Sequence, residues 1–155
     1  MNNAAIIGYG MVGKATALSF GIKNYISRSS SSIKWQDLQS IKYIFICLPT
    51  PCIKGKWFTD DIEKTIKKII SIKGKKTKYN EVQDYVIIVR STVYPGFARQ
   101  ISYDMEIENV VSNPEFLSEA TWEEDAKNPS MIVIGADEDK YRNDVKALYA
   151  GRFQS

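Results

Sequence analysis

The chain has 155 residues, 21 Lys+Arg against 18 Asp+Glu, two Cys and no His, with 44% hydrophobic and 25% charged residues. This length fits one domain spanning 1–155, and the missing imidazole excludes Ser-His-Asp and Cys-His catalysis and the usual His-containing zinc sites within these residues. A net charge of +3 is too small for a nucleic-acid face, no apolar run is long enough to span a membrane, and two cysteines make no disulfide framework, so a cytoplasmic domain is expected with neither nucleic acid nor membrane as partner.

In chain order, Ala4-Ala5-Ile6-Ile7-Gly8 predicts a first strand over 4–8 and the pattern behind it a helix over 11–21. The turn between them, Gly8-Tyr9-Gly10-Met11-Val12-Gly13, is G-x-G-x-x-G in the context that the phosphate-binding fingerprint requires, strand before and helix after. Gly8 permits the tight turn, Gly10 lets backbone approach a pyrophosphate, and Gly13 allows helix and strand to pack closely. Free N–H groups at the helix start then hold the anion. A second strand is predicted over 24–27. Where an NAD site usually places a carboxylate for the ribose 2′-OH, the sequence reads Ser27-Arg28-Ser29. An Arg flanked by hydroxyls can pair with a 2′-phosphate, so the cofactor is left open between NAD and NADP, with this local argument leaning to NADP.

Further strands are predicted over 42–47, 84–90, 108–112 and 131–135, several with the continuous apolarity of strands covered on both faces. Helices are predicted over 60–72 and 138–149. Ile62, Ile66, Ile69 and Ile70 form one stripe at helical spacing, with Lys64, Lys67 and Lys68 largely off it. Lys73 to Asn80 lacks periodicity and reads as a solvated loop. Alternation of strand and helix predicts an α/β fold, a doubly wound and mostly parallel sheet with helices on both faces, the three-layer Rossmann-like arrangement.

Three more segments follow strand ends: Ile46-Cys47-Leu48-Pro49-Thr50-Pro51, Arg90-Ser91-Thr92-Val93-Tyr94-Pro95-Gly96, and Ser112-Asn113-Pro114-Glu115-Phe116-Leu117-Ser118-Glu119. Together with the glycine turn, in this order and spacing, they resemble the N-terminal domain of the UDP-glucose/GDP-mannose dehydrogenase family. Glu124-Asp125-Ala126-Lys127-Asn128-Pro129 and Ile132-Val133-Ile134-Gly135 extend the likeness over nearly the whole chain. The resemblance implies NAD-dependent oxidation of a nucleotide-sugar C6 hydroxyl to a carboxylate, through two hydride transfers and a covalent thiol step. It implies that Thr92 helps to hold the catalytic water or reacting oxygen, that Glu115 serves general acid/base or thioester-hydrolysis chemistry, and that Glu119 sits near cofactor and substrate. By the same resemblance Leu48, Pro49, Thr50 and Ser91 line the nicotinamide half, while Phe116 and Leu117 present backbone to the sugar.

The family's nucleophile belongs to a G-x-G-G-x-C-x-P-K-D segment in its later, substrate-binding half, and neither that segment nor the family's long central helix occurs in these residues. Cys47 reads instead as a small buried residue and Cys52 as an incidental loop thiol. The expectation is therefore a cofactor domain whose turnover needs a substrate domain. Two alternatives stand beside it, a dinucleotide-binding or interaction module without turnover, and an NADP-dependent reductase of another kind suggested by Arg28. If the protein ends after Gly151-Arg152-Phe153-Gln154-Ser155, an exposed sheet edge would invite self-association or a second chain.

Overall fold

Short runs of β-branched and aromatic residues separated by helices arrange here as the alternation predicts. A computed structural model describes residues 1–80 and 82–153, with elements β1 (Ala4–Ile7), α1 (Met11–Phe20), β2 (Tyr25–Ile26), a 3-10 helix (Trp35–Ser40), β3 (Tyr43–Ile46), β4 (Cys52–Ile53), β5 (Lys56–Trp57), α2 (Asp60–Lys73), β6 (Val86–Val89), α3 (Phe97–Met105), β7 (Val110–Ser112), α4 (Trp122–Lys127) and α5 (Asp139–Arg152). The main sheet runs in the order β2-β1-β3-β6-β7 with every pair parallel. The chain reverses its direction of travel across the sheet between β1 and β3. A crevice therefore opens at the carboxyl ends of those two strands, where doubly wound sheets take their ligands.

Strict alternation divides the core. Ile44 and Ile46 of β3, with Ile87 and Val89 of β6, face α2, α3 and the 3-10 helix, where Ile62, Ile66, Ile69, Phe97 and Ile101 pack. Phe45 and Cys47, with Val86 and Ile88, face α1 and α5, against Phe20, Tyr141, Val145 and Tyr149. Each central strand is thus buried on both faces, which is why it reads as a continuous apolar run. The Ile stripe of α2 lies inward as its spacing predicts, while Lys64, Lys67 and Lys68 are exposed.

The strand expected over 131–135 does not form. Gly135 makes a single antiparallel bridge to Ser112, with both amide-to-carbonyl bonds at 2.7 and 2.8 Å. The next hydrogen-bonded pair would join Val133 to Pro114, and proline has no N–H to give. The ladder therefore stops after one rung, and the carbonyl of Val133 accepts from the Asn113 side chain instead, at 2.7 Å. Met131, Ile132 and Val133 remain exposed.

The solvated loop expected from Lys73 begins one residue later. Lys73 is the last residue of α2 and only 5% exposed. Its ammonium donates to the Leu38 and Gln39 carbonyls at 2.8 and 2.9 Å, closing the end of the 3-10 helix. Periodicity alone also gave no sign of the β4–β5 hairpin, turned at Lys54 and Gly55 with φ of 51° and 75°. Two successive left-handed residues are what a two-residue hairpin turn requires. Helix α3 does carry a buried stripe, Phe97, Ile101 and Met105 at i, i+4, i+8, which the sequence reading passed over, while the six residues of α4 bury only Ala126. Gln154 and Ser155, part of the terminal segment considered above, lie outside the described residues.

Candidate functional site

The three glycines of the turn sit in three different surroundings. Gly8 has φ +92°, and a Cβ there would sit 2.5 Å from the Cys47 carbonyl oxygen. A Cβ at Gly13 would overlap the Gly8 carbonyl oxygen outright. Gly10 differs: a Cβ there would meet nothing within 4 Å, so the space above it is open. Helix α1 begins at Met11 and Val12 with no side-chain cap and no acidic residue in its first turn. Bare N–H groups, the positive end of a helix and an open cradle over Gly10 fit a pyrophosphate. The Tyr9 ring turns away to stack on Tyr25 of β2, with centroids 3.9 Å apart, leaving only its backbone at the turn.

From this turn a row of contacts runs along the carboxyl edge of the sheet. Gly8 lies against Cys47 and Leu48 at the end of β3. The Ser91 hydroxyl donates to the Leu48 carbonyl at 2.6 Å, and the Thr50 hydroxyl donates to the Thr92 carbonyl, so the loops after β3 and β6 are tied twice. Leu48 is half-buried against the core while Pro49 is exposed. Thr92, itself exposed, lines a groove of about 420 Å³ together with Tyr94, Phe97, Arg99, Ser112 and Pro114.

The structure does not gather all the carboxylates and hydroxyls expected at the reaction centre into one cavity. Glu115, Phe116 and Leu117 line a second, smaller pocket with Arg90 and Tyr149, and Pro114 is common to both. Glu115 accepts from the Leu117 N–H at 2.6 Å, which fixes the loop that carries it. Phe116 is nearly half exposed. Glu119 lies in the exposed turn before α4 and lines neither cavity.

Of the two hydroxyls flanking Arg28, that of Ser27 is engaged within its own turn. Ser27 donates to the Ser30 carbonyl at 2.5 Å and accepts from the Ser30 N–H at 3.2 Å. Ser31 and Ser32 are likewise spent on the backbone of Ser27 and of Lys23 and Tyr25. The serine run folds back on β2 as a small turn. Arg28 extends from it to Asp61 in the first turn of α2, at 3.3 Å.

Sequence reasoning also passed over a buried polar network behind the Glu115 loop. The Arg90 guanidinium, 7% exposed, donates to the Asn113 side-chain oxygen at 2.9 Å and to the Tyr149 hydroxyl at 2.7 Å, and Tyr149 donates in turn to Asn113 at 2.7 Å. Burial pushes the Tyr149 phenol above its ordinary value, with Arg90 and Asn113 opposing it. The network joins the end of β6, the start of the loop at Pro114 and helix α5. Arg90 and Asn113 stand in the motif segments, but nothing in the sequence linked them to each other or to Tyr149. Cys47 is buried as expected, and burial pushes its thiol up to about 11. Cys52 lies exposed on β4.

Comparison with known proteins decides the family. The family model described as the NAD binding domain of the UDP-glucose/GDP-mannose dehydrogenase family matches residues 26–152. The chain belongs to that family. The match begins at Ile26, so the glycine turn stands on its own geometry in addition. Similar proteins include UDP-glucose 6-dehydrogenase of Rickettsia conorii, 32% identical over 124 residues, or 74% of this chain and 26% of the relative, and that of Rickettsia typhi, 28% identical over 77% of this chain and 27% of the relative. The chain thus spans about a quarter of the length of these relatives. Among solved structures, a GDP-mannose dehydrogenase from Pseudomonas aeruginosa, in a ternary complex, has TM-score 0.73 at 23% identity, covering 98% of this chain and 45% of that one. A UDP-glucose dehydrogenase from Pyrobaculum islandicum has TM-score 0.74 at 20% identity, covering 98% and 44%. These two likenesses give the family's Rossmann-like fold. The domain therefore binds a dinucleotide, and the family description names it as NAD.

Proposed function

We propose that this domain carries NAD for the oxidation of a nucleotide-sugar C6 hydroxyl, working with a substrate domain that lies outside these residues. In this reading the pyrophosphate rests on Gly10, Met11 and Val12, with Gly8 and Gly13 shaping the turn. Ser27 and Arg28 border the adenosine ribose, and Leu48, Pro49, Thr50, Ser91 and Thr92 border the nicotinamide. The observation that carries the proposal is the row of hydrogen bonds linking Leu48 to Ser91 and Thr50 to Thr92 directly beside the glycine turn. It aligns the two nicotinamide loops with the phosphate cradle at one edge of the sheet.

Bound NAD supplies a hydride acceptor. The chain's own part is to orient and to move protons. Thr92 holds the reacting oxygen or a water at the mouth of its groove, and Glu115, steadied by the Leu117 amide, exchanges protons with the substrate side. Leu117 and Phe116 offer backbone to the sugar. Glu119, exposed before α4, reaches substrate only where further protein closes over that turn. In this reading neither cysteine provides the covalent step: Cys47 is buried, and neither stands in the family's nucleophile segment. The thiol therefore comes from the substrate domain.

Titration calorimetry of the chain with NAD, followed by cofactor-reduction assays with UDP-glucose and GDP-mannose, tests this reading. Saturable NAD binding is expected, with reduction appearing only when the remaining domain of a family member is supplied. Failure of the supplied domain to elicit reduction, with NAD binding intact, would favour the module without turnover.

A further inference from the structure

The carboxylate that NAD sites place at the end of the second strand is absent here, and the Ser27 hydroxyl in its place is bonded within its own turn. One acidic group nevertheless reaches that corner. Asp61, in the first turn of α2, lies 3.3 Å from the Arg28 guanidinium, and the pair bridges the end of β2 and the start of α2 at the same edge of the sheet. Both side chains are accessible, at 93% for Arg28 and 54% for Asp61. With the pyrophosphate over α1, the adenosine ribose falls at the β2 end, against this pair.

We infer that Asp61 is the residue that sets the choice between NAD and NADP, a carboxylate contributed by α2 in place of one from β2. The inference rests on the dinucleotide reading of the crevice. A ribose 2′-OH can donate to the Asp61 carboxylate while Arg28 holds that carboxylate in position. A 2′-phosphate would bring close to two negative charges against Asp61 and compete with it for Arg28, so the Arg that suggests NADP in the sequence is already engaged. Freed of Asp61, the same Arg28 becomes a phosphate ligand with charge-assisted geometry. The specificity then lies in the pair, with Asp61 as its deciding member.

Asp61→Asn keeps the shape and removes the charge, and its exposed position leaves folding intact, which circular dichroism and thermal melting verify. Calorimetric dissociation constants for NAD and NADP are measured on the wild-type chain, Asp61→Asn and the Arg28→Ala/Asp61→Asn double variant. The expected wild type favours NAD by tenfold or more. Asp61→Asn is expected to shrink that preference at least tenfold, chiefly by tightening NADP, and the double variant to lose the gain. An unchanged ratio in Asp61→Asn, or a wild type that favours NADP, overturns the inference while leaving the cofactor reading in place. If none of the three proteins binds either dinucleotide, the cofactor reading falls and this inference falls with it.

Discussion

Helices α1 and α2 start at the same edge of the sheet and are finished in opposite ways. Helix α2 carries Asp60, Asp61 and Glu63 in its first turn and Lys73 in its last, so both ends of its dipole meet opposite charge within the chain. Helix α1 has neither acid at its start nor base at its end, no side-chain cap, and an open glycine before it. A helix whose ends already meet opposite charge within the chain leaves no free dipole end for an outside anion. One left bare at a strand-end crevice fits an anion from outside, and its lack of acid is as informative as its glycines.

The largest effect is expected at Gly13, where α1 is pressed against β1. Alanine there collides with the Gly8 carbonyl, and the collision is with backbone that cannot step aside, so Gly13→Ala should lose about 3 kcal/mol of unfolding free energy and NAD binding together. Urea unfolding with NAD titration checks it; a stable variant that binds normally would mean that the two elements are not closely packed there.

The corresponding test on α2 is at its far end. Lys73→Met leaves the Leu38 and Gln39 carbonyls without their donor, at a cost of about 2 kcal/mol. Burial lowers the Lys73 pKa to about 8 from its ordinary 10.5, so between those values the unfolded chain binds more protons than the folded one. Wild-type stability should therefore gain a rising component from pH 8 to 10.5 that Lys73→Met lacks. Urea midpoints of both proteins across that window would show it, and parallel pH profiles would remove Lys73 from the account.

Much of this contrast can be read without a structure, and the unreadable part has definite causes. The Ile stripe of α2, the glycine turn and the apolar central strands are local patterns, so each was legible from its spacing. The missing strand at 131–135 was not, because β-branched residues advertise strand propensity while Pro114, far away in sequence, withdraws the partner. Lys73 read as solvated because a lysine looks the same whether its ammonium meets water or two buried carbonyls. The motif segments showed which residues belong at the strand ends, yet they gave no sign that Thr92 and Glu115 border two different cavities with Pro114 common to both. Asp61 was invisible as a partner of Arg28, since 33 residues separate them and only the crossover from β2 to α2 brings them together.

A smaller effect is expected at Gly10, and only on binding. Its φ of −78° suits any residue and the added methyl meets nothing, so Gly10→Ala should hold its melting temperature while weakening NAD about tenfold, roughly 1.4 kcal/mol. Equal affinities by calorimetry would show that the cradle does not receive the phosphates.

The smallest change makes α1 resemble α2 in a single respect. Met11→Asp places an acid in the first turn of α1, where it meets the positive end of the helix and should add about 0.5 kcal/mol of stability. The same charge stands where the pyrophosphate is expected, and should weaken NAD by about threefold to fivefold, less at high salt, because the repulsion between accessible charges is screened. Stability and affinity thus move in opposite directions from one substitution, which a packing defect would not produce, since a defect lowers both. A gain in melting temperature with unaltered NAD affinity at low salt would mean that the bare start of α1 never faces the anion. The difference between the two helices would then reflect scaffold alone.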